Sequence, residues 1–475
     1  MNRVNSLLKN TAILSLGTFF PKFLTVLITP ILTAQLTKVE YGQYDLILTI
    51  VAFFLPIVTL QISAAAFRFL ITVREDIQAS GKIIGTIYCF VCVTSLIAGM
   101  IYWVCIGRNM GMTGALLTGY FIGDILLINS RQIVRGIGHN LLYSISIIIQ
   151  SIVLLAAVSL LTGITGLPNR GLTGVIGALF LSVLIPCLFL CVKEHLFRYF
   201  STHYFSVSVL KKMLAYSWPM IPNNLSIWAL GYSDRIVITL ALGIEANAIY
   251  AVANRLPAIF SSVQSTFIMA WQENASLAEH DTDKSHYYSS MVDGIYSLLV
   301  ILMAGLIAAT PVIWKLLIRG SYEAAYLQLP LLYLGMLCSC MSAILGGIYI
   351  AHMRTKSVAV TTLCAAGLNL LIDISLVHSI GIWAASLSTF ISYFFLCLFR
   401  MIEVQKFQQM SFRVSKMVIG LLLLGGMGVL NYQQSLRCDI LNIIFFFVLA
   451  VFFDHKLFLV LVDKFKKKVQ SLRGI

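Results

Sequence analysis

The sequence predicts an all-α, polytopic membrane protein. About 14 transmembrane helices are expected, as two pseudo-symmetric six-helix halves plus two C-terminal helices. Three observations carry this. Of 475 residues, 59% are hydrophobic and 11% charged, with a mean hydropathy of +0.90. Soluble domains carry roughly 25% charge, so this chain cannot cover itself with water-facing side chains. Its apolar residues fall in runs close to the ~20 that cross a bilayer as a helix. Its Lys and Arg collect on alternate connections between those runs, the asymmetry that orients membrane proteins.

Taken in order, the spans lie near 11–36, 44–69, 83–106, 114–135, 141–162, 171–192, 214–241, 247–271, 288–311, 327–351, 357–379, 381–402, 414–432 and 438–455. Residues 1–10 lead into a full-length span rather than a cleaved signal. With the N-terminus in the cytoplasm, 23 of the 33 Lys and Arg fall on the inner side, among them Arg131, Arg135, Arg400 and Lys416, and 6 on the outer side. An even number of spans then places both termini in the cytoplasm. The net charge of +14 is thereby explained by basic loops held against anionic lipid headgroups, and nucleic acid is not an expected partner.

The halves are expected at 1–192 and 214–402, joined by a cytoplasmic linker at 193–213, with the two extra helices and a basic tail at 403–475. The linker (KEHLFRYFSTHYFSVSVLKK) is basic and aromatic. It suits a helix lying along the inner interface or a solvated connector. A weak repeat supports two halves. Glu40-Tyr-Gly-Gln-Tyr44 follows the first span and Glu245-Ala-Asn-Ala-Ile-Tyr250 follows the seventh, and both preceding spans carry two prolines.

Polar groups inside apolar spans are the candidate functional residues, because a charge at bilayer depth costs ~2.5–3.5 kcal/mol on insertion scales. Lys22, Arg68, Arg235 and Arg255 are cations within spans. They could form an anion-binding set, since guanidinium pairs well with phosphate oxygens, or snorkel and make structural ion pairs. Asp124, Asp234 and Asp373 are the intramembrane acids, suited to ion coupling or to neutralising those cations. Pro21, Pro30, Pro219 and Pro222 are candidate helix hinges. Asn223, Asn224, Asn254, Gln264 and Asn369 could meet sugar hydroxyls or join helices. Ten cysteines lie almost wholly in apolar runs, and the lone Cys89-x-x-Cys92 pair suits packing better than metal or redox work. There is no phosphate-binding G-x-x-x-x-G-K-[ST] loop, no H-E-x-x-H and no G-x-S-x-G. No ATPase, metal site, cofactor or catalytic residue is therefore expected.

Residues 215–255 read AYSWPMIPNNLSIWALGYSDRIVITLALGIEANAIYAVANR. The Trp-Pro-x-x-Pro start, the Ser-Asp-Arg and the Ala-Ile-Tyr-Ala-Val-Ala-Asn-Arg ending resemble the seventh and eighth helices of the Wzx-like polysaccharide-repeat flippases. These are the O-antigen and capsule translocases of the multidrug/oligosaccharidyl-lipid/polysaccharide exporter superfamily. Where that family usually has Gly, this chain has Ala248. Pro30, Glu40-Tyr-Gly-Gln-Tyr44 and Arg68-Phe69 extend the resemblance to the first two spans. It implies a flippase of the bacterial inner membrane that moves undecaprenyl-diphosphate-linked oligosaccharide by alternating access. The pyrophosphate would lie on the cations between the halves. The resemblance further implies a polysaccharide polymerase and a chain-length regulator as partners.

Lipid II flippases differ from this reading only in cargo. A cation-coupled multidrug exporter of the same superfamily should have an acidic pocket, whereas the intramembrane set is four cations against three acids. A membrane repeat-unit polymerase should carry a long catalytic loop with clustered Arg or Asp, and no connection here has that composition.

Overall fold

The computed structural model describes residues 24, 26–161, 171–279 and 283–453. Within them the chain is all-α, and 12 helices are long and apolar enough to cross a membrane. The protein is a multi-pass membrane protein. The helices are α1 (Val26–Gln35), α2 (Lys38–Thr59), α3 (Ile62–Thr72), α4 (Ile77–Cys105), α5 (Met112–Gly136), α6 (Asn140–Leu161), α7 (Gly171–Lys193), α8 (Val207–Ser217) and α9 (Met220–Leu242). They continue as α10 (Ile244–Ala253), α11 (Arg255–Ala278), α12 (Lys284–Leu317), α13 (Glu323–Tyr326), α14 (Leu329–Ala351), α15 (Thr355–Ile380), α16 (Trp383–Val404), α17 (Val414–Asn431) and α18 (Leu436–Phe453).

Three expected spans are broken rather than continuous. The second divides at Leu60–Gln61, both left-handed with φ of 45° and 56°. The seventh divides at Trp218–Pro219, so α9 starts at Met220. The eighth divides at Asn254 between α10 and α11. Only the break at Pro219 carries a proline signal; Leu60–Gln61 and Asn254 sit in their apolar runs without proline or glycine.

The chain forms two compact units, Met1–Ala251 with Ile318–Gly320, and Val252–Leu317 with Ser321–Ile475. The expected lobes part at 193–213, whereas the units part within α10, so α8 and α9 pack with the first unit.

In the first unit, α2 opens with a capping box. Glu40 N–H donates to Thr37 Oγ1 (3.2 Å) and the Thr37 N–H donates back to Glu40 Oε2 (3.0 Å). Such reciprocal caps satisfy two orphan helix donors. Glu40 Oε1 also accepts from the Leu172 N–H of α7. The Glu of the first repeat motif is therefore a structural cap. Where α5 crosses α7, Gly119 faces Phe180 and Gly123 faces Val183, and small residues let membrane helices approach closely.

The linker forms no single interfacial helix. It makes two short 3₁₀ turns, Leu196–Tyr199 and Thr202–Tyr204, before α8. The Phe200 ring stacks on Tyr88 at 4.2 Å, Ser206 N–H donates to Thr86 Oγ1 (3.0 Å), and Gly85 admits the Tyr204 side chain. Aromatic packing onto α4 thus holds the strap against the first unit.

In the second unit, α14 is the most buried span and packs against α11, α12, α15, α16 and α17. Trp271 Nε1 donates to the Ile344 carbonyl (2.8 Å), beside Gly347. Asn442 donates to both Asn431 Oδ1 (2.8 Å) and the Met427 carbonyl (3.1 Å). Arg400 is a buried hub rather than a loop residue. Counted with the inner loops, it lies within α16 at 4% exposure. It donates to the Ser342 and Val358 carbonyls and to the Thr361 and Thr362 hydroxyls. Position near a span end suggests a loop cation, but here four acceptors from neighbouring helices satisfy the fork. Arg131 and Arg135 likewise belong to α5, and Lys416 to α17. Lys416 pairs with Asp293 at 3.1 Å.

Candidate functional site

Adjacent residues on a helix point about 100° apart, so Asp234 and Arg235 turn to different partners. Arg235 reaches α2, where its Nε lies 2.8 Å from Asp45 Oδ2, with the two side chains 11% and 8% exposed. The pair meets the distance of an ion pair, but neither atom completes an aligned hydrogen bond. Charge rather than bond direction therefore holds it. The guanidinium carbon sits 4.8 Å from the Tyr232 ring one turn earlier, a favourable cation–π approach. The two Nη atoms donate to no described residue, and neither is among the sealed orphan atoms that include Nε. Asp234, 3% exposed, accepts from the Tyr250 hydroxyl of α10 at 2.5 Å.

This pair belongs to a longer seam. Trp228 Nε1 donates to the Thr49 carbonyl (3.0 Å), and its ring lies 4.7 Å from Phe53. Asn247 Nδ2 donates to the Gly42 carbonyl (3.1 Å). Gly42 touches the Ile244 carbonyl so closely that no Cβ can stand there. The two Glu-to-Tyr repeat motifs thus meet each other, Gly42 of the first against Asn247 of the second and against Ile244 directly before it. A Gly42→Val change is expected to lower stability by about 1–3 kcal/mol, the usual cost of overpacking. A fall in the melting temperature of the purified protein checks this, and an unchanged value would show that the approach is loose.

The other sequence-derived candidates are spread more widely. Lys22 and Pro21 lie outside the described residues. Arg68 is exposed on α3 and makes no ion pair among the described residues. Arg255 is half-buried and opens α11 in the second unit. Asp124 is half-buried on α5 and makes no hydrogen bond or salt bridge with a described residue. It feels the charge of Arg131 two turns on, whose guanidinium donates to Ser146 Oγ and O at 3.0 and 2.9 Å. Asp373, 1% exposed on α15, accepts from Ser388 Oγ (2.6 Å), to which Asn369 also donates (3.1 Å). Pro30 lies inside α1. Pro219 caps α9 and Pro222 stands in its first turn, where a missing N–H breaks no helical hydrogen bond. These two prolines punctuate the start of the helix rather than kink its middle.

Residues 7–272, more than half of the chain, match the profile of the polysaccharide biosynthesis protein family. The chain belongs to that family. No curated protein matches it in sequence. Among solved structures it is similar to the lipid II flippase MurJ in an inward closed conformation, with TM-score 0.70 and 12% identity over 95% of this chain and 100% of that one. It is also similar to an inward-facing multidrug resistance MATE family transporter of the MOP superfamily, with TM-score 0.62 and 14% identity over 83% and 95%. A MOP superfamily transporter from Pyrococcus furiosus gives TM-score 0.56 at 15% identity over 84% and 96%. At these identities the likeness is one of fold.

In this polysaccharide biosynthesis protein the family match contains Arg235, Asp234, Arg255 and the seam with α2, and it ends within α11. Reading the sequence by spans missed Asp45, Tyr250 and Asn247. Two of them lie inside the second repeat motif and Asp45 directly follows the first. The motif pairing was therefore the available signal, and only the packing shows which residues it brings together.

Proposed function

We propose that this protein is a flippase for lipid-linked oligosaccharide. It moves undecaprenyl-diphosphate-linked repeat units from the inner to the outer leaflet of the bacterial inner membrane for O-antigen or capsule synthesis, with both termini cytoplasmic. Family membership supports a role in polysaccharide biosynthesis. The observation that carries the reading further is Arg235, a guanidinium in an apolar helix with both Nη atoms uncommitted among the described residues. A bilayer core rejects both sugar hydroxyls and diphosphate, and a guanidinium fork suits phosphate oxygens. Arg255 and Lys22 would add charge, and Arg68 would meet the substrate near the inner end. Asp124, Asp234 and Asp373 would couple transport to an ion gradient, with Asn369 and Ser388 steadying the last. The break before Met220, beside Pro219, would let α9 swing, with Pro222, Pro21 and Pro30 as further candidate hinges. The lipid tail stays in the bilayer while the glycan crosses in a polar path. A polymerase and a chain-length regulator would act on the product.

A lipid II flippase is the second reading, favoured by the MurJ likeness over 95% of the chain. Clean deletion separates the two. Repeat units should accumulate on the lipid carrier at the cytoplasmic face, and surface glycan should disappear, while growth and peptidoglycan synthesis continue. Arrested peptidoglycan synthesis would establish the lipid II reading instead. Units that reach the outer face unpolymerised would make the protein a polymerase.

A further inference from the structure

We propose that Asp45 is an exchangeable counterion of Arg235. A phosphate-class anion takes the guanidinium from Asp45, and the exchange unfastens α2 from α9. The inference rests on the flippase reading above.

Four observations lead to it. First, the contact is close in distance but poorly aligned, 2.8 Å from Nε to Oδ2 with no directed hydrogen bond. A phosphate can offer two parallel N–H···O bonds to the same guanidinium, which a single misaligned carboxylate oxygen does not match. Second, the Nη atoms donate to no described residue and are not among the buried orphan atoms, so they are the donors left for an incoming anion. The anion can dock there before Asp45 leaves. Third, the Tyr232 ring under the guanidinium stays with α9 whichever anion is bound, so Arg235 keeps its place while its partner changes. Fourth, Asp45 is a charged tie in a seam that also holds the Trp228–Thr49 and Asn247–Gly42 hydrogen bonds, the Phe53–Trp228 contact and the Gly42–Ile244 approach. These neutral contacts part more readily once the charged tie is gone.

A built-in counterion also solves a transport problem. A bare buried guanidinium would hold diphosphate too tightly to let it go, whereas Asp45 competes for the same group and returns when the ligand leaves. A ligand shifts such an equilibrium only by its differential affinity for the two states, and the competition for Arg235 supplies that difference.

The test uses the full-length purified protein, undecaprenyl diphosphate in neutral-lipid vesicles, undecaprenol in the same vesicles, and inorganic diphosphate. Wild type should bind the diphosphate lipid in preference to the alcohol, and Arg235→Ala should lose that preference. Asp45→Asn, which removes the competing charge and keeps the shape, should bind the diphosphate lipid roughly tenfold more tightly, an ordinary coupling factor, and should transport more slowly. Tightening toward inorganic diphosphate as well identifies the phosphate group as the ligand. Tightening toward the lipid alone places part of the recognition in the tail, and both results support the exchange. A merely structural Asp45 would instead weaken binding in both variants.

A second measurement needs no variant. In wild type, amide hydrogen exchange in peptides covering 42–49 and 244–250 should accelerate when the diphosphate lipid is added. Unchanged or weaker binding by Asp45→Asn, or slower exchange in those peptides, overturns the exchange and leaves the flippase reading standing. If wild type does not distinguish diphosphate lipid from alcohol, the flippase reading falls and the exchange falls with it.

Discussion

Arg235→Ala is expected to abolish surface polysaccharide while the protein still inserts and accumulates, and Arg235→Lys is expected to retain part of it. Losing a charge-assisted pair to phosphate is worth about 1.5–3 kcal/mol, roughly ten- to hundredfold in affinity. Lysine keeps the charge but lacks the planar fork, which is why a partial phenotype is the informative one. The measurement is surface glycan in a deletion strain complemented with each variant, with protein level in the membrane as the control. Normal glycan in the alanine strain would remove Arg235 from the substrate path. The neighbouring ion pair does not by itself predict this result. Truncating Arg235 also leaves Asp45 buried without that partner, so the alanine protein should show some loss of stability too. Asp45→Asn together with Arg235→Ala should recover that stability and not the export.

Arg400→Ala is expected to damage the second unit more than any single change on the Arg235 seam. The guanidinium ties the Ser342 carbonyl of α14 to the Val358 carbonyl and the Thr361 and Thr362 hydroxyls of α15, at 2.8 to 3.2 Å. Gly346 leaves room for its Nη1, whose distance to an added Cβ would be 3.0 Å. Alanine would open a cavity and remove the donor from each of these acceptors, of which the Val358 carbonyl keeps the Thr361 and Thr362 hydroxyls, and a buried group left unsatisfied costs about 1–3 kcal/mol. Together these place the loss at roughly 2–5 kcal/mol, the usual range for a large side chain cut back in a packed core. Poor accumulation and early thermal aggregation of the detergent-solubilised protein would show it. Arg400→Lys should be intermediate, because one ammonium cannot reach both helices at once. A stable, abundant alanine variant would show that the network is dispensable.

How much of this was legible in the residues differs by kind of feature. Span existence was, because some twenty apolar residues in a row have few other uses. The resemblance in 215–255 pointed to the family that the profile match then established. Breaks in the spans were less visible. Asn254 and the pair Leu60–Gln61 carry no proline or glycine, and their backbone turns are set by tertiary contacts such as Ser217 Oγ donating to the Leu60 carbonyl. Charge partners were the least legible. Arg235 stands beside Asp234 in sequence, yet the helix turns them apart and pairs Arg235 with Asp45, 190 positions earlier. Arg400 read as a loop cation because distance from a span end says nothing about which carbonyls wait nearby. Linear order reports hydrophobic bulk well and long-range polar pairing poorly.

The corner at Leu60–Gln61 has a mechanical meaning. Two successive residues with side chains in the left-handed region cost of order 1–3 kcal/mol each, and they interrupt the helical hydrogen-bond ladder at one point. The shorter arm, α3, is bolted down. Leu70 presses on Gly136, and Arg74 Nε donates to the Gly136 carbonyl at 2.6 Å. The longer arm, α2, packs against α9, α7 and α4. A continuous helix would transmit torque from one end to the other, whereas a corner of this kind would let its two arms turn separately. A load applied through Arg235 at Asp45, 15 residues before that corner, would act far from it, where the least force is needed to turn the arm.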